Sequence, residues 1–192
     1  MMRRFAVIGI VGLTGSGKTE VAKVASKFDI PCVRMGDVVW EEVKLRGLEL
    51  NETNVGAVAN EIRRQDGPAA IAILCIPLIE EQGKGKQAVV VDGIRGSAEV
   101  DEFRRAFGTR FHLLAVLASE QKRYSRISAR ERADDVRSLE AFREKDAREL
   151  SWGLSEALTS SDFTLVNEGN LAEHRRRAAE IIKKIISGDK RC

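Results

Sequence analysis

The chain has 192 residues, of which 43% are hydrophobic and 32% are charged, and these proportions are typical of one globular domain. Its 32 basic and 29 acidic side chains leave a net charge of +3, which argues against a protein that coats DNA or RNA but suits a small anionic ligand. Three widely spaced cysteines (Cys32, Cys75 and Cys192) argue against a disulfide framework or a structural zinc site and indicate a reducing compartment.

The longest apolar run, residues 69–79, is too short to span a bilayer. The short apolar stretch near the start leads directly into a glycine-rich segment, with no cleavage-like site between them. We therefore expect a cytoplasmic protein with neither a membrane nor a nucleic-acid partner, acting as a monomer or a homodimer.

Short apolar runs predict five buried strands, at 5–11, 30–35, 88–91, 111–117 and 163–166. Apolar residues at helical spacing predict the intervening helices, at 19–28, 37–46, 51–64, 68–82, 98–107 and 171–186. This alternation is typical of an α/β fold with a parallel sheet. Two stretches depart from it and are interpreted as insertions in a single domain spanning 1–192: consecutive helices at 36–83 and an arginine-rich pair of helices at 119–150.

The segment after the first strand matches the phosphate-binding pattern G-x-x-x-x-G-K-T in full. Its glycines let successive amides point at phosphate oxygens, and the helix that follows adds its positive N-terminal end. A lysine at the seventh position reaches the β- and γ-phosphates, and the threonine hydroxyl can ligate Mg²⁺. The eight predicted nucleotide-binding residues are Gly12, Leu13, Thr14, Gly15, Ser16, Gly17, Lys18 and Thr19.

A carboxylate closes the third predicted strand. Asp92 follows Val89, Val90 and Val91 at the rim where ligands of α/β sheets bind. Beside a phosphate loop, this position predicts that Asp92 and Thr19 together hold Mg²⁺.

Arginines supply the charges that phosphoryl transfer requires. Arg95 lies three residues after Asp92, where its guanidinium can bind a second phosphate. Arg123, Arg126 and Arg130 share one helical face in a segment with five cations in eleven residues. Such a face predicts a lid that neutralises the migrating group and excludes water.

Together these residues resemble the adenylate kinase and dephospho-CoA kinase branch of the P-loop kinases, with the greatest similarity to the archaeal adenylate-kinase-related proteins. The resemblance covers about residues 5–187, and its branch-specific motifs are 35–39, 91–95, 132–135 and 166–169. It implies a three-layer α/β sandwich with a five-stranded parallel sheet ordered 2-3-1-4-5. It also implies an acceptor site in the helical insertion and a short lid after the fourth strand.

The same resemblance implies roles for individual residues. Gly36 and Asp37 line the acceptor site, and Arg95 holds the acceptor phosphate. Arg126 and Arg130 contact the phosphates during transfer, together with one cation of the following helix (Arg143, Lys145 or Arg148). Asn167 lies near the adenine of the nucleotide.

Two departures from the family pattern concern the acceptor. Trp40 occupies the position of an arginine that commonly binds the acceptor phosphate, and Ile94 replaces a proline. A tryptophan stacks on a base or packs in the core but pairs with no phosphate. The acceptor therefore stays open among AMP, another nucleoside monophosphate and dephospho-CoA.

The sequence predicts an ATP- and Mg²⁺-dependent phosphotransferase that moves the γ-phosphate to a nucleotide-like acceptor. The alternative is a P-loop ATPase or switch that regulates a protein partner, because a phosphate loop alone specifies nucleotide binding and no reaction. An RNA-associated protein is a third reading, based only on the basic clusters.

Overall fold

The computed structural model describes residues 5–129 and 138–188. Its first half contains β1 (Ala6–Val11), α1 (Lys18–Ser26), β2 (Cys32–Arg34), α2 (Met35–Leu45), α3 (Glu52–Asp66), α4 (Ala70–Gln82) and β3 (Ala88–Asp92). Its second half contains α5 (Ser97–Phe107), β4 (Phe111–Leu117), α6 (Glu120–Ser128), α7 (Leu139–Glu149), α8 (Ser155–Thr159), β5 (Phe163–Val166) and α9 (Leu171–Ser187). A 3₁₀ turn (Gly108–Arg110) follows α5, and a π-helical turn (Leu150–Leu154) follows α7.

The five strands form one parallel sheet in the order β2-β3-β1-β4-β5. This confirms the predicted α/β sandwich and the strand order that the family resemblance implied. Valines and isoleucines fill the central strands, and their alternate side chains are buried on both faces of the sheet. Helices α1 and α9 cover one face, and α2, α3, α4, α5 and α8 cover the other.

Parallel strands bring their carboxyl ends to one edge of the sheet. The register pairs Ile10 with Asp92 and Val11 with Ala115, so the loop after β1 lies between the ends of β3 and β4. The loop after β5 joins the same edge, because Val166 pairs with Leu117. Ligands of open α/β sheets bind at this edge, where the strand order changes direction.

Three helices in succession occupy the predicted insertion. The amide of Asn54 donates to the Asn51 side chain (2.9 Å), which caps α3. Helix α4 begins at Ala70, two residues after the predicted start, because Gly67 and Pro68 form a turn before it. Among the residues that the structure describes, no helix has the length and hydropathy needed to cross a bilayer.

Candidate active site

The glycine-rich loop folds between β1 and α1 with a backbone that only glycine adopts readily. Gly15 and Gly17 have φ values of 80° and 110°, and the amide of Ser16 donates to the carbonyl of Leu13 (3.1 Å). The chain then enters α1 at Lys18, so the N-terminus of the helix directly follows the glycine-rich turn. A glycine-rich turn that leads into a helix N-terminus is a common anion-binding arrangement.

The Lys18 ammonium bonds within its own loop. Its Nζ donates to the carbonyl oxygens of Gly12 (2.5 Å) and Leu13 (3.1 Å). Burial lowers the pKa of Lys18 below its ordinary value, and the carboxylates of Glu149 and Asp92 partly oppose that shift. An anion bound at the loop adds negative charge near Nζ and favours its protonated form.

Asn167 and His174 bond to carbonyl oxygens on the far side of the loop, and Arg126 holds Asn167 in place. The Asn167 amide donates to the Ser16 carbonyl (2.7 Å), and His174 Nε2 lies 3.2 Å from the Gly17 carbonyl. Because a carbonyl only accepts, Nε2 bears the proton. Arg126 in turn donates to the backbone oxygen (2.8 Å) and side-chain oxygen (3.2 Å) of Asn167. The C=O and N–H groups of a peptide point in opposite directions. The bonds to the Ser16 and Gly17 carbonyls therefore turn the amides of the same peptides toward the opposite side of the loop, where a ligand would bind.

Asn167 supports the phosphate loop from behind. The contact with the adenine that the resemblance implied stays a prediction, and the Asn167 side chain is 5% exposed and directed at the loop backbone. The physical reason is its position directly after β5, whose register with β4 holds the residue behind the phosphate loop. Sequence reasoning did not assign a role to His174, because a single histidine on a helix gives no signal of what it faces.

Arg123 is also placed differently from its prediction. The shared helical face predicted that it joins a lid, but its guanidinium is buried against α7. Its Nη1 and Nη2 donate to the two carboxylate oxygens of Asp146, at 2.9 Å and 2.6 Å. Arg123 still contacts the loop, since it donates to the Thr14 carbonyl (3.2 Å), and Arg126 donates to the Gly15 carbonyl (3.5 Å). Arg130 lies outside the described residues.

A carboxylate from α7 contacts the phosphate loop. The Thr14 hydroxyl donates to one oxygen of Glu149 (2.8 Å), and the Thr14 amide donates to the other (3.3 Å). Glu149 was not predicted, because 135 residues separate it from Thr14 and no sequence spacing relates the two.

A cavity of about 700 Å³ lies beside the loop, between the helical insertion and the end of α7. Gly36 and Glu149 are among its lining residues. Asp37, the other residue expected there, is exposed and is not part of the lining. The next position along a helix is rotated by about 100°, so neighbouring residues face different directions. The cavity's cations and aromatic side chains are Arg63, Arg95, Lys145, Arg148, Trp40 and Trp152.

Arg95 is held at the cavity wall from two sides. Its guanidinium lies 5.5 Å from the centre of the Trp152 ring, and its amide donates to Glu99 (2.7 Å). Glu99 is 2% exposed and also accepts from Arg63 (3.4 Å), so one carboxylate connects two cavity cations. Burial raises the pKa of Glu99, while the Arg95 amide and the Arg63 charge oppose the rise.

The cations of α7 divide between two environments. Lys145 and Arg148 line the cavity, whereas Arg143 pairs with Glu120 on the outer surface (2.7 Å). Of the three candidates in this helix, the structure thus brings Lys145 and Arg148 to the site.

The predicted Mg²⁺ residues lie at the expected edge of the sheet. Thr19 is exposed in the first turn of α1, and Asp92 is half-buried at the end of β3. A hydroxyl and a carboxylate are oxygen donors of the kind Mg²⁺ prefers, and the ion usually keeps several waters and substrate phosphates as its other ligands. The described residues include no group of three or more His, Cys, Asp or Glu side chains able to hold a metal by themselves. The donor set therefore fits Mg²⁺ that arrives with a nucleotide.

The sequence matches known proteins over nearly its whole length. A family model described as an AAA domain matches residues 11–143. A UPF0200/UPF0201 protein of Archaeoglobus fulgidus is 46% identical over 185 residues, and the match covers 96% of this chain and 57% of that protein. A UPF0200 protein of Methanosarcina mazei is 41% identical over 183 residues, covering 95% and 97% of the two chains. The chain thus spans little more than half of the Archaeoglobus relative and almost all of the Methanosarcina one.

Several solved kinases share the fold. Dephospho-CoA kinase from Campylobacter jejuni aligns with a TM-score of 0.59 and 14% identity, over 95% of this chain and 98% of that one. A gluconokinase from Sinorhizobium meliloti gives 0.58 and 16%, over 97% of each chain. Shikimate kinase from Bacteroides thetaiotaomicron gives 0.59 and 12%, over 95% and 98%. At these identities the likeness concerns the fold and does not select one kinase branch.

Proposed function

The chain belongs to the UPF0200 family, and its residues 11–143 match the AAA domain model. From this premise we propose that it is a P-loop phosphotransferase that moves the γ-phosphate of ATP to a nucleotide-like acceptor. The observation that supports this best is the cation-lined cavity beside the phosphate loop. A P-loop switch or ATPase needs only the loop, whereas a transferase needs a second site next to it.

The donor site depends on the loop. Its amides and Lys18 bind the β- and γ-phosphates and offset the charge that spreads over the migrating group. Mg²⁺, held through Thr19 and Asp92, would add positive charge at the same phosphates. Arg126 lies behind the loop, bonded to Asn167, and stabilises the loop in its binding conformation.

The acceptor site is the cavity. Arg95, Arg63, Lys145 and Arg148 favour a substrate that contains phosphate, because four cations around one cavity attract an anion of high charge. The tryptophans add flat apolar surfaces on which a base can stack. Positioning of two phosphate groups, rather than a strong base, supplies most of the catalysis in this reaction class.

Transfer from labelled ATP to a panel of nucleoside monophosphates and dephospho-CoA tests the proposal. We expect Lys18→Ala to reduce transfer by at least about 100-fold, because it removes the cation at the migrating phosphate. Lys27→Ala, an exposed lysine just after α1, is the matched control and should leave the rate unchanged. If ATP is consumed equally fast with and without every acceptor, the transferase assignment fails in favour of an ATPase or switch.

Arg95→Ala tests the acceptor site separately. We expect the KM for the acceptor to rise about tenfold or more with little change in ATP binding, because one charge-assisted hydrogen bond is lost. Arg64→Ala removes an exposed arginine of α3 and serves as the control. A loss of ATP affinity equal to the loss of acceptor affinity contradicts two separate sites.

A further inference from the structure

Glu149 places a carboxylate on the donors of the phosphate loop. Both of its oxygens accept hydrogen bonds from Thr14, one from the hydroxyl and one from the amide. The same carboxylate opposes the shift that burial imposes on the pKa of Lys18 more strongly than Asp92 does. Glu149 therefore lies close to the cation that reaches for the terminal phosphates of a nucleotide.

A carboxylate and a phosphate are anions that compete for the same donors. Both accept from amides and hydroxyls, and both are attracted to Lys18. Two such anions side by side repel each other, and the repulsion is largest when water is excluded. A terminal phosphate that binds at the loop therefore competes with Glu149 for these donors.

Glu149 also belongs to the wall of the cavity, together with Arg148 and Trp152. The buried pair of Asp146 and Arg123 fixes α7 one turn before it, and Gly153, with φ 87°, interrupts the helix shortly after it. The segment 147–153 is therefore bounded by a fixed point and a break. A displacement of Glu149 is expected to move this segment and with it one wall of the cavity.

We propose that Glu149 is a specificity-determining residue that occupies the place of the terminal phosphate and leaves when a nucleoside triphosphate binds, thereby coupling the phosphate loop to the neighbouring cavity. This inference rests on the proposed function, because it requires that the loop binds nucleotides. It goes beyond that function by assigning discrimination between triphosphate and diphosphate to one carboxylate outside the loop.

Binding of ATP and of ADP to the unmodified chain and to two variants tests the inference. Glu149→Gln keeps a hydrogen-bonding side chain without the charge, and Glu149→Ala removes the side chain's polar atoms. We expect both variants to bind ATP about tenfold more tightly, with a smaller gain for ADP, because only ATP brings a γ-phosphate to the contested donors. Glu144→Gln, an exposed glutamate of the same helix, is the control and should bind both nucleotides as the unmodified chain does.

The possible results separate the two proposals. Nucleotide affinities that are unchanged in both Glu149 variants overturn the role of Glu149 and leave the proposed function intact. An ATP affinity that stays unchanged while the transfer rate falls about 100-fold also overturns it, since Glu149 then acts on the acceptor. If the unmodified chain binds neither ATP nor ADP, the proposed function itself fails.

A second measurement tests the coupling without mutating Glu149. Trp152 lies three residues after it, and Trp40→Phe leaves Trp152 as the chain's single tryptophan. We expect ATP to change the Trp152 fluorescence more strongly than ADP does, because ATP displaces Glu149 and the segment that follows it. Equal changes with the two nucleotides, or none, contradict the coupling.

Discussion

The buried ion pair between α6 and α7 provides a quantitative test of how the site is supported. Arg123 is 4% exposed and Asp146 is 8% exposed, and two hydrogen bonds of 2.9 Å and 2.6 Å join them. Arg123 also donates to the carbonyls of Thr14 and Ala118, both at 3.2 Å, and lies 4.9 Å from the centre of the Phe142 ring. Asp146→Asn preserves the shape of this arrangement and removes one of its two charges.

The expected cost follows from the burial of the remaining charge. Removing one partner of a buried pair leaves the other uncompensated and typically destabilises a protein by about 3–5 kcal/mol. For a chain of this size, 1 kcal/mol corresponds to a shift of about 2–4 °C in Tm, so we expect Asp146→Asn to lower the Tm by roughly 6–20 °C. The double variant Arg123→Met with Asp146→Leu should lose less than Asp146→Asn, because it leaves no buried charge behind.

Chemical and thermal unfolding followed by circular dichroism measures these differences. Glu144→Gln, an exposed residue of α7, serves as the control and should change the unfolding free energy by less than about 0.5 kcal/mol. The reasoning is refuted if Asp146→Asn unfolds within about 0.5 kcal/mol of the unmodified chain. It is also refuted if the double variant is less stable than Asp146→Asn, since the buried charge would then not be the cause.

Two further predictions concern the far side of the phosphate loop. Gly17→Ala should destabilise the fold by roughly 1–3 kcal/mol and weaken ATP binding, because a Cβ at φ 110° collides with the Asn167 amide and approaches His174 Nε2 to 2.9 Å. Gly47→Ala, at φ 66° in open space, is the control for backbone strain alone, and both variants are compared by unfolding and by calorimetric titration with ATP. Equal losses in the two variants argue against the collision. Burial lowers the pKa of His174 below its ordinary value of 6.5, so the unfolded chain binds a proton more readily than the folded one. The unfolding free energy should therefore fall as the pH drops from about 7 toward 5, and His174→Gln should weaken this pH dependence. If the unmodified chain and the variant show the same pH dependence, His174 is not its cause.

Local sequence patterns were sufficient for most of the fold. The predicted strands 111–117 and 163–166 agree with the structure at both ends, and the other three agree within two residues. Buried parallel strands are continuous apolar runs, so each is visible without knowledge of its neighbours. The strand order followed from the resemblance to P-loop kinases and is confirmed by the pairing.

The candidate site, in contrast, could be predicted only in part from the sequence. The phosphate loop was predicted in full, because eight consecutive residues determine both its backbone and its donors. The side chains around it were not. Arg123 and Arg126 look alike in the sequence, three residues apart on one helical face, yet one is neutralised inside the protein and the other reaches Asn167.

The sequence by itself determined a parallel α/β sheet with a phosphate-binding loop at its edge, since short-range periodicity and one contiguous motif specify both. Only the tertiary structure decided that Asn167 holds the loop from behind and that Glu149 contacts it from the side of the cavity. Those contacts join residues more than 130 positions apart, and the packing of α7 and of the loop after β5 against the sheet sets them. Spacing along the chain gives no measure of such distances, because a helix shows the same period whichever neighbour it faces.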